Sequence, residues 1–185
     1  MKVEELAMMT AAPTQLTTPV TNRDHIRGID SAAVTLVEYG DYACPHCNEA
    51  RSVVKRLRET LGDRLRHVFR NFLTLTSYSR AHRAAEAAEA SGAQDRFWEM
   101  HYFLYDHQLA LSDKHLKVYA TQVGLDMERF NRDMMLHTHA LRVHEDILNA
   151  GQSGVSTAPA FFINDNRHVG PCDFESLLSH MREFT

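Results

Sequence analysis

The chain is poor in the features that mark several common protein classes. It holds 3 cysteines in 185 residues, too few for the disulfide framework of a small secreted scaffold. No apolar run approaches the ~18 residues of a membrane-spanning helix. No block of lysine and arginine occurs and the formal net charge is only −4, which leaves no basic footprint for a nucleic-acid partner. The first nine residues carry one lysine, two acids and no apolar segment, unlike a secretory signal. Few cysteines and no signal pattern together lead to the expectation of a cytoplasmic protein, where dithiols are mostly catalytic or redox-sensing. A length of 185 residues is enough for one well-buried core.

Two of the three cysteines stand together, as Cys44-Pro45-His46-Cys47. The run Val34-Thr35-Leu36-Val37-Glu38-Tyr39 before them reads as a buried strand, and the run from about Asn48 to Leu61 reads as a helix. A zinc site would need two further ligands, in a second cysteine pair or a histidine pair. The remaining cysteine, Cys172, is alone, and in a helix His137 and His139 would face different ways, so no metal is expected.

A thiol pair at the mouth of a helix has a chemical use. A thiolate attacks disulfides, and the unpaired N–H groups and dipole of a helix start favour an anion there. Pro45 suits the first helical turn, where an N–H would have no partner. A protonated His46 would add a cation beside the sulfur. Cys44 is therefore expected to attack, and Cys47, one turn on, to resolve the mixed disulfide.

The segment from Val34 through Gly40-Asp41-Tyr42-Ala43 to Cys47 resembles the active-site segment of the DsbA-like branch of the thioredoxin superfamily. Gly154-Val155-Ser156-Thr157-Ala158-Pro159-Ala160-Phe161-Phe162-Ile163-Asn164 resembles its cis-proline segment, and the stretches Ala81–Ala90 and Arg96–His101 resemble its helical insert. The likeness runs from about Pro19 to the C-terminus. It implies an α/β, thioredoxin-like fold with an all-helical insert. It implies a buried acid at Glu38 that relays the proton of Cys47. It also implies a cis Ala158–Pro159 bond facing the dithiol, where Thr157, Ala158 and Pro159 would meet an extended substrate. Relatives often carry Thr or Val where Ala158 stands, which leaves the potential and substrate preference open. Many members of that branch are exported oxidants, in tension with the cytoplasmic expectation. Cys172, after Gly170-Pro171, falls in the loop that borders the active-site surface in such folds and is a candidate accessory thiol.

Along the chain, residues 1–21 read as a mobile tail or an arm lying along the domain or a partner. Residues 22–78 and 151–185 read as the thioredoxin-like core, and 79–150 as the helical insert. Leu65 to Phe72 reads as a strand in parallel crossover with the first. Within the insert, Asp95, Ser112 and Asp126 are candidate caps, and a last helix is expected from about His137 to Ala150. Asn164-Asp165-Asn166 is hairpin-turn chemistry, and Asp173 to Phe184 reads as a closing amphipathic helix.

These readings converge on an enzyme that exchanges disulfides with protein or small-molecule thiols. It would need no bound cofactor and would draw on glutathione or a thioredoxin-type partner. Two other readings remain open. One is a glutathione-dependent isomerase or transferase like the kappa-class transferases, which use serine where Cys44 stands. The other is a non-catalytic chaperone module that uses the insert as a peptide groove.

Overall fold

A computed structural model describes residues 13–73 and 78–184. The greater part of the expected N-terminal arm, residues 1–12, lies outside the described residues.

Five strands form one mixed sheet: β1 His25–Arg27, β2 Val34–Gly40, β3 Leu65–Asn71, β4 Ala160–Ile163 and β5 Asn166–Arg167, in the order β1-β3-β2-β4-β5. β2 and β3 are parallel, with Val34 opposite Leu65 and Gly40 opposite Asn71. Their connection is helix α1, Pro45–Leu61, and a short 3-10 turn. A parallel pair needs such a crossover, and the right-handed one lets the helix pack back on the sheet. β1, β4 and β5 complete the sheet in antiparallel pairings. β2 is buried along almost its whole length, which explains why its sequence is a nearly continuous apolar run.

Between β3 and β4 come five consecutive helices, α2 Tyr78–Gly92, α3 Phe97–Asp106, α4 Asp113–Gln122, α5 Met127–Met135 and α6 Ala140–Gln152; α7, Phe174–Arg182, closes the chain. This is the thioredoxin-like α/β fold with a helical insert. The alanines of α2 from Ala81 to Ala90 are fully buried, and their small side chains let the helix sit close to its neighbours. They share one core with Met100, Leu104, Tyr105 and, from the sheet side, Tyr42, Cys47 and Phe69. On one face of the sheet, α1 and α7 bury Val54, Leu57, Leu177 and Met181 against Leu36 and Phe161. Each such side chain contributes about 1.5–3 kcal/mol relative to exposure. The dithiol helix is thereby clamped between the sheet and the insert.

Several local details differ from the sequence expectations. α1 starts at Pro45 rather than Asn48, with Cys44 as its N-cap. Asp95 does not cap α3. It takes a left-handed φ of 60° and Arg96 occupies the cap position. Ser112 stands at the N-cap of α4, but its hydroxyl bonds His115 Nδ1 at 2.8 Å instead of a backbone N–H. The last insert helix begins at Ala140, because His137 adopts φ 51° and interrupts the run. Asp126 does cap α5, accepting from the N–H groups of Glu128 and Arg129. The hairpin is a two-residue loop with positive φ at both Asn164 and Asp165, the backbone that a tight hairpin with the native twist requires.

Residues 13–21 lie along the sheet edge: Gln15 bridges Asn166, and Leu16 is largely buried. The buried Arg70 ties this segment down. It grips Asp24 at 2.7 and 3.1 Å and donates to the carbonyls of Thr18 and Pro19.

Candidate active site

The sulfur of Cys44 sits where β2 gives way to α1. Cys44 itself has extended backbone angles, φ −90° and ψ 119°, and Pro45 takes the first helical position. The carbonyl of Cys44 accepts from the N–H groups of Cys47 and Asn48 and from Gln108 Nε2 at 2.7 Å. The bend before the helix is closed by Asp41, whose side chain accepts from the N–H of Ala43 and whose carbonyl accepts from that of Cys44.

Neither Cys44, which is half-exposed, nor Cys47, which is buried, is joined in a disulfide. The Cys44 thiol is lowered to about 6. The largest cause is a hydrogen bond from the Cys47 thiol, and the backbone N–H groups of Cys47 and His46 add to it; partial burial opposes them. Cys47 is pushed far in the other direction, first by that same bond and then by burial, with Glu38 among the nearby negative charges. One sulfur is thus set to ionise at neutral pH and the other to keep its proton. The ring of His46 turns to Glu49, at 3.3 Å, and is largely in solvent. What reaches Cys44 from this residue is the backbone N–H, not the imidazole that the sequence pointed to.

The Ala158–Pro159 bond is cis, and the Ala158 carbonyl accepts from the Cys44 thiol at 3.6 Å. Thr157 is exposed, while Ala158 and Pro159 are half-buried. These two residues, with His46, Val53, Pro171 and Cys172, line a cleft of about 490 Å³. Cys172 therefore shares a cleft with His46 and the cis-proline loop, which neither sulfur of the dithiol lines. Burial raises its thiol, so it is the poorer nucleophile of the two half-exposed cysteines.

Glu38 is buried, with Oε2 accepting from His67 Nε2 at 2.9 Å; the other carboxylate oxygen and His67 Nδ1 have no partner among the described residues. A close aromatic group surrounds the inner side of the site. Burial drives His101 well below the ordinary histidine range, so it is neutral, and its Nδ1 accepts from the Tyr42 hydroxyl at 3.1 Å. Tyr42 and Tyr105, also raised by burial, keep their protons.

Sequence reading did not find His67, Gln108 or His101 as parts of this site. His67 lay in an expected strand, but its pairing with Glu38 depends on the β2–β3 register. Gln108 and His101 lie about sixty residues beyond the dithiol, and no local pattern links them to it. Among the described residues there is no group of three or more histidine, cysteine or acidic side chains that could hold a metal ion. His137 instead pairs with Glu86 at 3.0 Å.

A mixed sheet with a cysteine pair at the first crossover helix, opposed by a proline, defines a class: the dithiol proteins of the thioredoxin superfamily, thiol–disulfide oxidoreductases in general. A family model described as thioredoxin matches residues 20–182, and the chain belongs to that family, with a DsbA-like fold. Its structure is similar to that of oxidised BdbD from Bacillus subtilis, with a TM-score of 0.83 at 22% identity over 94% of this chain and 98% of that one. It is also similar to the thiol-disulfide exchange protein α-DsbA2 of Wolbachia pipientis, at 0.75 and 24% over 89% and 88%. In sequence it is 43% identical over 156 residues to a Na(+)/H(+) antiporter, NhaA 1, of Salinispora arenicola, covering 84% of this chain and 24% of the relative. The chain spans about a quarter of the length of the curated relatives it matches.

These likenesses correct the cytoplasmic expectation. The chain resembles a segment of proteins named as ion antiporters, and the resemblance to the DsbA-like branch had already stood in tension with that expectation. The cysteine argument failed for a physical reason. A shortage of cysteine shows that no disulfide scaffold is needed, and a redox-active pair needs only two thiols in any compartment. Among the described residues, no helix is long and apolar enough to cross a membrane.

Proposed function

We propose that the protein exchanges disulfides with protein or small-molecule thiols through Cys44 and Cys47. The observation that carries this reading is the opposite tuning of two adjacent sulfurs, with Cys44 lowered to about 6 and Cys47 raised.

In the reducing direction, the Cys44 thiolate attacks one sulfur of a substrate disulfide. The S–S bond breaks, one substrate sulfur leaves as a thiolate, and a Cys44–substrate disulfide forms. Cys47 then gives up its proton and attacks the sulfur of Cys44. The second substrate sulfur leaves, two electrons have passed to the substrate, and the pair is oxidised. Oxidation of a substrate dithiol runs the same steps backwards. Because Cys44 is stabilised as a thiolate, the reduced pair is favoured and the oxidised pair is the stronger oxidant.

Glu38 is the group assigned to take the proton of Cys47. It is buried on the strand leading to the dithiol, and its charge is felt at Cys47. The backbone around Thr157, Ala158 and Pro159 is assigned to hold an extended substrate, and Cys172 borders that surface. No bound cofactor enters these steps. Electrons come from or go to glutathione or a thioredoxin-type protein.

The test is reduction of insulin and oxidative refolding of a reduced, disulfide-containing protein by the wild type, Cys44→Ser and Cys47→Ala. Cys44→Ser should lose both activities. Cys47→Ala should accumulate a mixed disulfide at Cys44. Undiminished activity in Cys44→Ser would sink the reading.

A further inference from the structure

A second cleft lies away from the one beside the cis-proline loop, and no residue lines both. It is formed between α1 and α3, holds about 660 Å³, and is lined by Arg27, Arg51, Lys55, Arg58, Tyr102 and Asp106, with Glu59 at its side. Arg51 stands one helical turn after Cys47 on α1.

The charges in this cleft do not balance. Asp106 is taken by Arg51 at 2.6 Å, and Glu59 by Lys55 at 3.9 Å. Arg27 and Arg58 have no carboxylate partner among the described residues. Both donate instead to one neutral acceptor, the phenol oxygen of Tyr102, at 2.8 and 3.4 Å. Two guanidinium groups are thus gathered around a single oxygen, both half-buried, where like charges repel and water screens them less than in bulk. Arg27 is held in place by the rings of Trp98 and Tyr102, with its guanidinium carbon 5.9 and 5.6 Å from their centres. The arrangement is built before any ligand arrives.

We propose that this cleft binds a phosphate-type dianion. Glu38 lines a small adjoining cavity with Arg58 but bonds neither arginine, so the two guanidinium groups without a paired carboxylate suit one dianionic group. Guanidinium forks suit phosphate oxygens through paired N–H bonds. Tyr102 accepts from both arginines and keeps its own O–H to donate. The volume is that of a small-molecule site rather than of a bare ion, so it leaves room for the organic part of a phosphate ester. The same chemistry is offered by a soluble phosphate monoester and by the monoester headgroup of phosphatidic acid.

The experiment uses the full chain. Calorimetry at fixed ionic strength, with chloride as the reference anion, measures binding of inorganic phosphate and of glycerol 3-phosphate. Co-sedimentation measures binding to phosphatidylcholine vesicles with and without phosphatidic acid. Saturable binding of either soluble anion, weakened at least tenfold in Arg27→Gln and in Arg58→Gln but not in Arg96→Gln, a residue that does not line the cleft, supports the site with a soluble ligand. Binding only to the anionic vesicles, with the same dependence on Arg27 and Arg58, supports it with a lipid headgroup as the source. Tyr102→Phe, which keeps the ring under Arg27 and removes the O–H, carries the test should Arg27→Gln disturb folding. The absence of saturable binding to all three probes, or binding that none of the cleft variants weakens, overturns the proposal.

Discussion

Glu38 and His67 lie on adjacent parallel strands with their side chains 2.9 Å apart, and both are almost wholly buried. A buried pair of this kind is worth little over an apolar one, but removing one member strands the other. His67→Leu alone is expected to cost about 3–5 kcal/mol. The double change Glu38→Met and His67→Leu is expected to regain most of that loss. Urea unfolding of the two single variants and the double variant measures the coupling. A double variant as unstable as the sum of the singles would show that the pair is not a unit.

Cys44 should titrate with a midpoint near pH 6, as read from thiolate ultraviolet absorbance or from the rate of alkylation against pH. Cys172, raised by burial, should react more slowly than Cys44 at neutral pH. A midpoint near the ordinary thiol value, or equal rates at both sites, would contradict the geometry described above.

The same lowering has a consequence for stability. The folded-state value of Cys44 lies below its ordinary one, so its contribution is present above the ordinary value and is lost as pH falls through about 6. The reduced protein should therefore gain stability relative to the oxidised form as pH is raised from about 6 toward 9. Thermal melts of both redox forms across that window check the sign. Cys44→Ser should flatten the trend.

Gly40 closes β2 just before the dithiol bend. A Cβ there would come within 2.5 Å of the Phe69 ring and 2.8 Å of the Tyr105 hydroxyl. Gly40→Ala is therefore expected to destabilise by about 1–3 kcal/mol through overpacking. It should also shift the dithiol titration, because Tyr105 and Cys47 share that core. Denaturant melts and the alkylation profile measure the two effects.

Asp126 satisfies two free N–H groups at the start of α5. Asp126→Ala should cost about 1 kcal/mol. The loss should be visible in the melting temperature, with no change in disulfide exchange, since the Asp126 side chain bonds the N–H groups of Glu128 and Arg129 and neither sulfur.

Much of this protein was legible along the chain because its signals are local. The alternation and apolar runs of β2 and β3, the proline after Cys44, the Asn-Asp turn and the cap at Asp126 each act over a few residues, and each produced its element. The dithiol was legible for the same reason, since Cys44 and Cys47 lie within one helical turn. Register and handedness were not written locally. Only the parallel pairing of β2 with β3 brought His67 to Glu38. Only the packing of α3 on α1 and β1 brought Arg27 and Arg58 to one phenol oxygen. The direction in which the His46 ring points was likewise decided by Glu49 and by solvent. Local backbone preference fixes which elements form, because it needs only near neighbours. Which charges end up facing one another is settled when those elements pack, by contacts between residues that the sequence holds far apart.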